Sequence, residues 1–86
     1  PVATAAAIQL DSCTTNFIMQ ESFCEWTPEW RFDLLEYPPR PIDGHYAIPI
    51  RPGLGVGRFR PEAARAHPFD PDAFLPMWKE NWRQRF

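Results

Sequence analysis

No surplus of positive charge runs through this sequence. Its formal net charge is −2 and its arginines are scattered, so it lacks the basic stripe that tracks a phosphate backbone. Nucleic acid is therefore not an expected partner. No apolar run approaches the length of a membrane-crossing helix, and no leader marks the start, so no membrane partner is expected either. The first residue does not resemble a native start, which takes most of the meaning from the missing leader. Cysteine is scarce: Cys13 and Cys24 are the two. One pair makes no secreted disulfide framework, and the reading is two reduced thiols in a cytoplasmic protein. Adding His45 and His67 gives four residues too far apart for either paired-ligand zinc pattern, so no metal site is expected from this chain alone. Internal repeats and low-complexity segments are also missing.

Proline and large aromatic rings are abundant instead. There are 11 prolines in 86 residues, all but the first spread from Pro28 to Pro76, and 15% of residues are aromatic. Each proline removes a backbone donor and interrupts periodic structure, so much of the chain after Glu25 is expected to be extended or irregular. Its backbone groups need partners from elsewhere. A chain this short buries only a modest share of its surface. The sequence reads as part of a larger fold.

The opening PVATAAAIQLDS predicts a helix with proline at its first position and four alanines within it. Small apolar residues cover most of that helix, so it is expected to be packed on most sides. Thr14-Thr15-Asn16 forms a turn, with side chains bonding to nearby backbone. Phe17, Ile18 and Met19 then follow one another without a polar face, the pattern of a strand buried on both sides in a parallel sheet. That run ends in Glu21. Helix, buried strand and an acid at the strand's C-terminal end is the local order of a β/α barrel, whose chemistry sits on that face. Glu21 is the candidate for contact with a substrate. Alternation along the strand sends its neighbours Gln20 and Ser22 to the opposite face, as structural residues.

Phe23, Trp26, Trp30 and Phe32 give the following loop an unusual density of rings. Trp26, nearest the acid, either walls a substrate pocket or packs one domain on another; Trp30 reads as core. Trp30 to Leu35 predicts a helical turn ended by Pro38-Pro39. Ile42 to Ile50 predicts a short strand or hairpin arm, with Asp43-Gly44 as its tight turn and His45 solvent-facing or structural. The glycine-rich RPGLGVGRFR lacks the spacing of a phosphate loop and reads as a Pro-Gly turn. Pro61 to Ala66 predicts a short helix stopped by His67-Pro68. Trp78 and Trp82 would share one face of a terminal helix.

Taken together, PVATAAAIQLD, NFIMQE, IDGHYAIPIRPGLGV and RPEAARAHPFDPD resemble the C-terminal end of an enolase-superfamily enzyme. The resemblance runs from Pro1 to about Asp72. It is closest to the mandelate racemase and muconate lactonizing branch, and within that to sugar-acid dehydratases of the galactonate type. The pairing of NF-x-x-QE with a later PGLGV element carries it; neither would suffice alone.

The resemblance implies an α/β fold, the end of a modified (β/α)₇β TIM barrel. Residues 1–25 would be its last helix–strand unit, with Val2 to Ser12 the seventh helix and Phe17 to Gln20 the eighth strand. Residues 26–86 would be a tail returning to pack on an α+β capping domain. The implied chemistry is carbon–oxygen lysis of an acid sugar. A proton α to a carboxylate is abstracted, an enolate is held by Mg²⁺, a β-hydroxyl leaves, and a 2-keto-3-deoxy acid results. Glu21 matches the acid that hydrogen-bonds the substrate carboxylate, and to donate it must keep its proton. The Mg²⁺ ligands and the Lys and His bases are expected outside this chain, so the segment alone is not expected to be active. Its implied partners are an acid-sugar substrate, the remainder of the enzyme and further copies in a homo-oligomer. The alternatives are a racemase or cycloisomerase of the same superfamily, and a non-catalytic interaction module using its Pro and Trp content.

Overall fold

The computed structural model describes residues 1–23 and 27–70. Helix α1 spans Val2–Ser12, a 3₁₀ helix spans Glu29–Leu34, and helix α2 spans Pro61–Ala66. Cys24, Glu25, Trp26 and the expected terminal helix carrying Trp78 and Trp82 lie outside the described residues.

Helix α1 follows the predicted bounds. Pro1 caps it, and its carbonyl accepts the Ala5 amide at 3.0 Å. At the other end the side chains fold back. Thr14 Oγ1 donates to the Leu10 carbonyl and Ser12 Oγ to the Gln9 carbonyl, both at 2.8 Å. These bonds satisfy carbonyls that a helix end leaves without an intrahelical partner. Only one stripe of α1 is covered: Ala5 and Ile8 are buried, whereas Val2 and Leu10 are exposed. The expectation of packing on most sides is not met within the described residues. Gln9 Nε2 ties the helix to the later chain by donating to the Pro49 carbonyl at 3.1 Å.

Residues 17–20 differ from expectation. They have no regular secondary structure and pair with no strand among the described residues, and Ile18 is 86% and Met19 78% exposed. A strand buried on both faces draws its ladder bonds from neighbouring strands and its cover from helices. Among the described residues, pairing consists of two isolated antiparallel bridges, and neither involves this run.

One bridge, Ile42 to His45, closes the predicted turn. The two residues exchange backbone hydrogen bonds of 2.8 and 3.0 Å. Asp43 and Gly44 both have positive φ, 50° and 75°, the conformation for which an Asp-Gly pair is suited in a two-residue hairpin turn. The other bridge, Leu35 to Phe59, was not foreseen. It is extended by Tyr37 N–H to the Val56 carbonyl at 2.9 Å and Arg60 N–H to the Leu34 carbonyl at 2.8 Å. Residues 34–37 therefore lie antiparallel to 56–60. The Glu36 carboxylate accepts the Arg58 amide at 3.0 Å, which holds its pKa below the usual carboxylate value, helped by Tyr37.

The 3₁₀ helix falls where the helical turn was predicted, and buries Phe32. Arg40 lies 3.9 Å from the Phe32 ring centroid and pairs with Glu29 at 2.6 Å. Helix α2 has Pro61 at its first turn, with the His67 amide closing it on the Ala64 carbonyl at 3.2 Å. Trp30 is half-buried, its ring stacked on His67 with centroids 4.1 Å apart and planes 11° off parallel. That contact joins the 3₁₀ helix to the end of α2.

Candidate functional site

Glu21 closes the apolar run that follows α1. It lies on the rim of a cleft of about 240 Å³ between the start of α1 and the 3₁₀ helix. Pro1 and Thr4 line it from α1, Arg31 and Phe32 from the 3₁₀ helix, and Ser22, Thr27 and Tyr46 from the chain between and beyond. The cleft thus combines a carboxyl group, a guanidinium and several hydroxyls over a partly apolar wall. Such a surface can bind a small molecule carrying both hydroxyls and charge.

Tyr46 is held in the cleft wall by a long-range contact. Its hydroxyl and that of Ser22 are 2.6 Å apart, a hydrogen bond in which either can donate. This bond brings the segment after the Asp43-Gly44 turn beside the residue following Glu21. Thr27 Oγ1 donates to the Phe23 carbonyl at 2.9 Å. Trp26 itself is outside the described residues.

A second cavity, about 580 Å³, lies against α1 and residues 17–20. Ile8, Phe17, Ile18, Met19 and Ile48 make it mainly apolar. It is the larger of the two spaces, and its lining includes the exposed apolar run. Gln20 lines this second cavity and Glu21 the first. Ser22 departs from the expectation: it borders both cavities. Residues 21–23 are not in a paired, pleated strand, so two-residue alternation does not govern them.

His45 is exposed, its Nδ1 2.7 Å from the Asp43 carbonyl, as a structural turn residue would be. Cys13 is a free, exposed thiol at the end of α1. Among the described residues no group of three or more His, Cys, Asp or Glu side chains could hold a metal ion. No described helix is long and apolar enough to cross a membrane. Arg31 and Tyr46 went unrecognised in the sequence. Tyr46 follows a turn signal but sits 25 positions from Glu21, and nothing in local pattern links residues so far apart.

Residues 1–60 match the family described as enolase C-terminal domain-like. The chain belongs to that family. Its domain is the TIM-barrel part of the enolase fold. This enolase-type chain is 42% identical over 57 residues to a D-gluconate/D-galactonate dehydratase of Picrophilus torridus, covering 65% of the chain and 14% of the relative. It is 33% identical over 88 aligned positions to a D-gluconate dehydratase of Thermoproteus tenax, covering 96% of the chain and 18% of that relative. The chain thus spans less than a fifth of the length of either. No solved structure matches it significantly.

Proposed function

We propose that this chain is the part of a sugar-acid dehydratase that carries the acid facing the substrate carboxylate, Glu21. The observation that carries the reading is the place of Glu21. It ends the apolar run that follows α1 and opens into a cleft furnished with hydroxyls. Relatives named as dehydratases of gluconate and galactonate support the substrate class.

The overall reaction removes the proton α to the carboxylate, breaks the bond to the β-hydroxyl and releases water. The resulting enol tautomerises to a 2-keto-3-deoxy acid. Charge accumulates on the substrate carboxylate as the α-proton leaves, so a donor aimed at that group stabilises the transition state more than the ground state. Glu21 fills this role when it holds its proton, and a bound anion beside it favours the protonated form. The described residues do not form a metal site. Dependence on Mg²⁺ is the family expectation, with its ligands on other sequence, and proton donation by Glu21 does not pass through the ion.

The test is Glu21→Gln in the complete enzyme, assayed with gluconate and galactonate in the presence of Mg²⁺. Turnover should fall by about 10²- to 10³-fold, the usual cost of removing a transition-state donor. The circular dichroism spectrum should stay as in the parent, because Glu21 is exposed. Unchanged turnover would remove Glu21 from the chemistry, and a parent inert toward every sugar acid tried would remove the dehydratase reading.

A further inference from the structure

We propose that Tyr46 is a positioning residue for Glu21, acting through its hydrogen bond to Ser22. The inference rests on the dehydratase reading and adds to it the brace that aims the acid. A donor stabilises a transition state only when it is held in line with the group that gains charge, and a shift of about 1 Å costs up to about 100-fold in rate. Strand pairing does not supply that hold here: neither bridge among the described residues includes residues 17–23. The Glu21 carbonyl accepts Gln20 Nε2 at 2.7 Å, a bond between neighbours that moves with the segment and does not anchor it. Ser22 reaches further. Its hydroxyl lies 2.6 Å from that of Tyr46, 24 positions along the chain.

Tyr46 is itself well held. It directly follows the Ile42–His45 turn, which is closed by reciprocal backbone bonds of 2.8 and 3.0 Å. Asp43 and Gly44 hold φ of 50° and 75° in that turn, and His45 Nδ1 lies 2.7 Å from the Asp43 carbonyl. A tyrosine side chain has only two torsions, so its hydroxyl is delivered from the turn with little freedom. Ser22 and Tyr46 both border the cleft that holds Glu21 and the apolar cavity beside it, so the bonded pair lies in the partition between the two. Consecutive Cα atoms are about 3.8 Å apart, and fixing Ser22 therefore fixes the point from which Glu21 leaves the backbone. The brace adds no charge beside the acid, and the role needs no contact between Tyr46 and the substrate.

The experiment uses the complete enzyme with gluconate and Mg²⁺, comparing the parent with Tyr46→Phe, Ser22→Ala and Ser22→Thr, and repeating Tyr46→Phe in a Glu21→Gln background. Tyr46→Phe and Ser22→Ala should each lower kcat by about 10- to 100-fold and leave KM within about threefold, because the acid acts in the transition state. Combining the two should cost no more than either alone, since both break one bond. Ser22→Thr keeps a hydroxyl and should recover part of the loss. In Glu21→Gln, Tyr46→Phe should lower kcat no further, a result that a purely structural role would not produce. The bond is exposed, so thermal midpoints should match the parent's; a fall in kcat that tracks a lost midpoint in both single variants would mark the bond as structural and overturn the assignment. An unchanged kcat in Tyr46→Phe, a raised KM in its place, or a further loss in the Glu21→Gln background also overturns it, and a slow Glu21→Gln then leaves the dehydratase reading standing. A parent inert toward every sugar acid tried, or a Glu21→Gln variant as fast as the parent, overturns both.

Discussion

Gly55 offers the sharpest measurement of how the turn after Pro49 packs back on it. It is buried, with φ of +75°, and a methyl group added there would overlap Pro49. The overlap involves the proline Cβ, and the Pro49 Cα and carbonyl carbon would lie only 3.3 and 3.4 Å away, so backbone would have to move. Gly53 is the natural control. Its φ is similarly positive at +66°, but an added Cβ would meet nothing within 4 Å. Placing alanine in the left-handed region costs about 1–2 kcal/mol at either site. The gain from a stiffer unfolded chain is about 0.4–1 kcal/mol and is common to both. Overpacking adds about 1–3 kcal/mol at Gly55 alone. Subtracting one variant from the other therefore isolates the contact with Pro49, whose carbonyl also accepts Gln9 of α1. Denaturant unfolding of the complete protein should show Gly55→Ala less stable than Gly53→Ala by about 1–3 kcal/mol. Equal losses in the two variants would refute the close approach of Gly55 to Pro49.

Two further outcomes follow from charge and metal. Glu36 and Glu29 have lowered pKa values, through the Arg58 amide and the Arg40 guanidinium respectively. Their contribution is present above the ordinary carboxylate value of 4.5 and is lost as pH falls through the depressed folded values. The denaturation midpoint of the complete protein should drop on acidification below about pH 4.5, and Glu36→Gln should make that drop shallower; an identical acid profile would sink the pairing of 34–37 with 56–60. Removing Mg²⁺ from the complete enzyme with a chelator should abolish dehydration, and adding Mg²⁺ back should restore it. Full activity in excess chelator would exclude the metal-assisted route.

The local elements were legible because their signals are local. A proline followed by alanines set α1, Asp43-Gly44 set a turn with two positive φ angles, and Pro61 with Glu62 set α2 to the residue. The acid at the end of an apolar run was legible for the same reason. Strand pairing was not. Residues 17–20 carry a strand's composition, yet composition cannot supply a neighbouring strand, and no described residue forms a bridge with them. Leu35 and Phe59 show the converse: segments read as a helical turn and a Pro-Gly turn lie antiparallel because backbone groups 24 positions apart satisfy one another.

By itself, then, the sequence determined which stretches are helical, where the chain turns, and that Glu21 stands at the end of an apolar run. Those are decisions taken within a few residues, by steric limits on φ and ψ and by the first unpaired amides of a helix. Only the tertiary structure decided that Arg31 and Tyr46 share a cleft with Glu21, that Trp30 rests on His67, and that Gly55 must yield its side chain to Pro49. The first two join residues ten or more positions apart and the third residues six apart, and each meeting depends on how the chain between them closes.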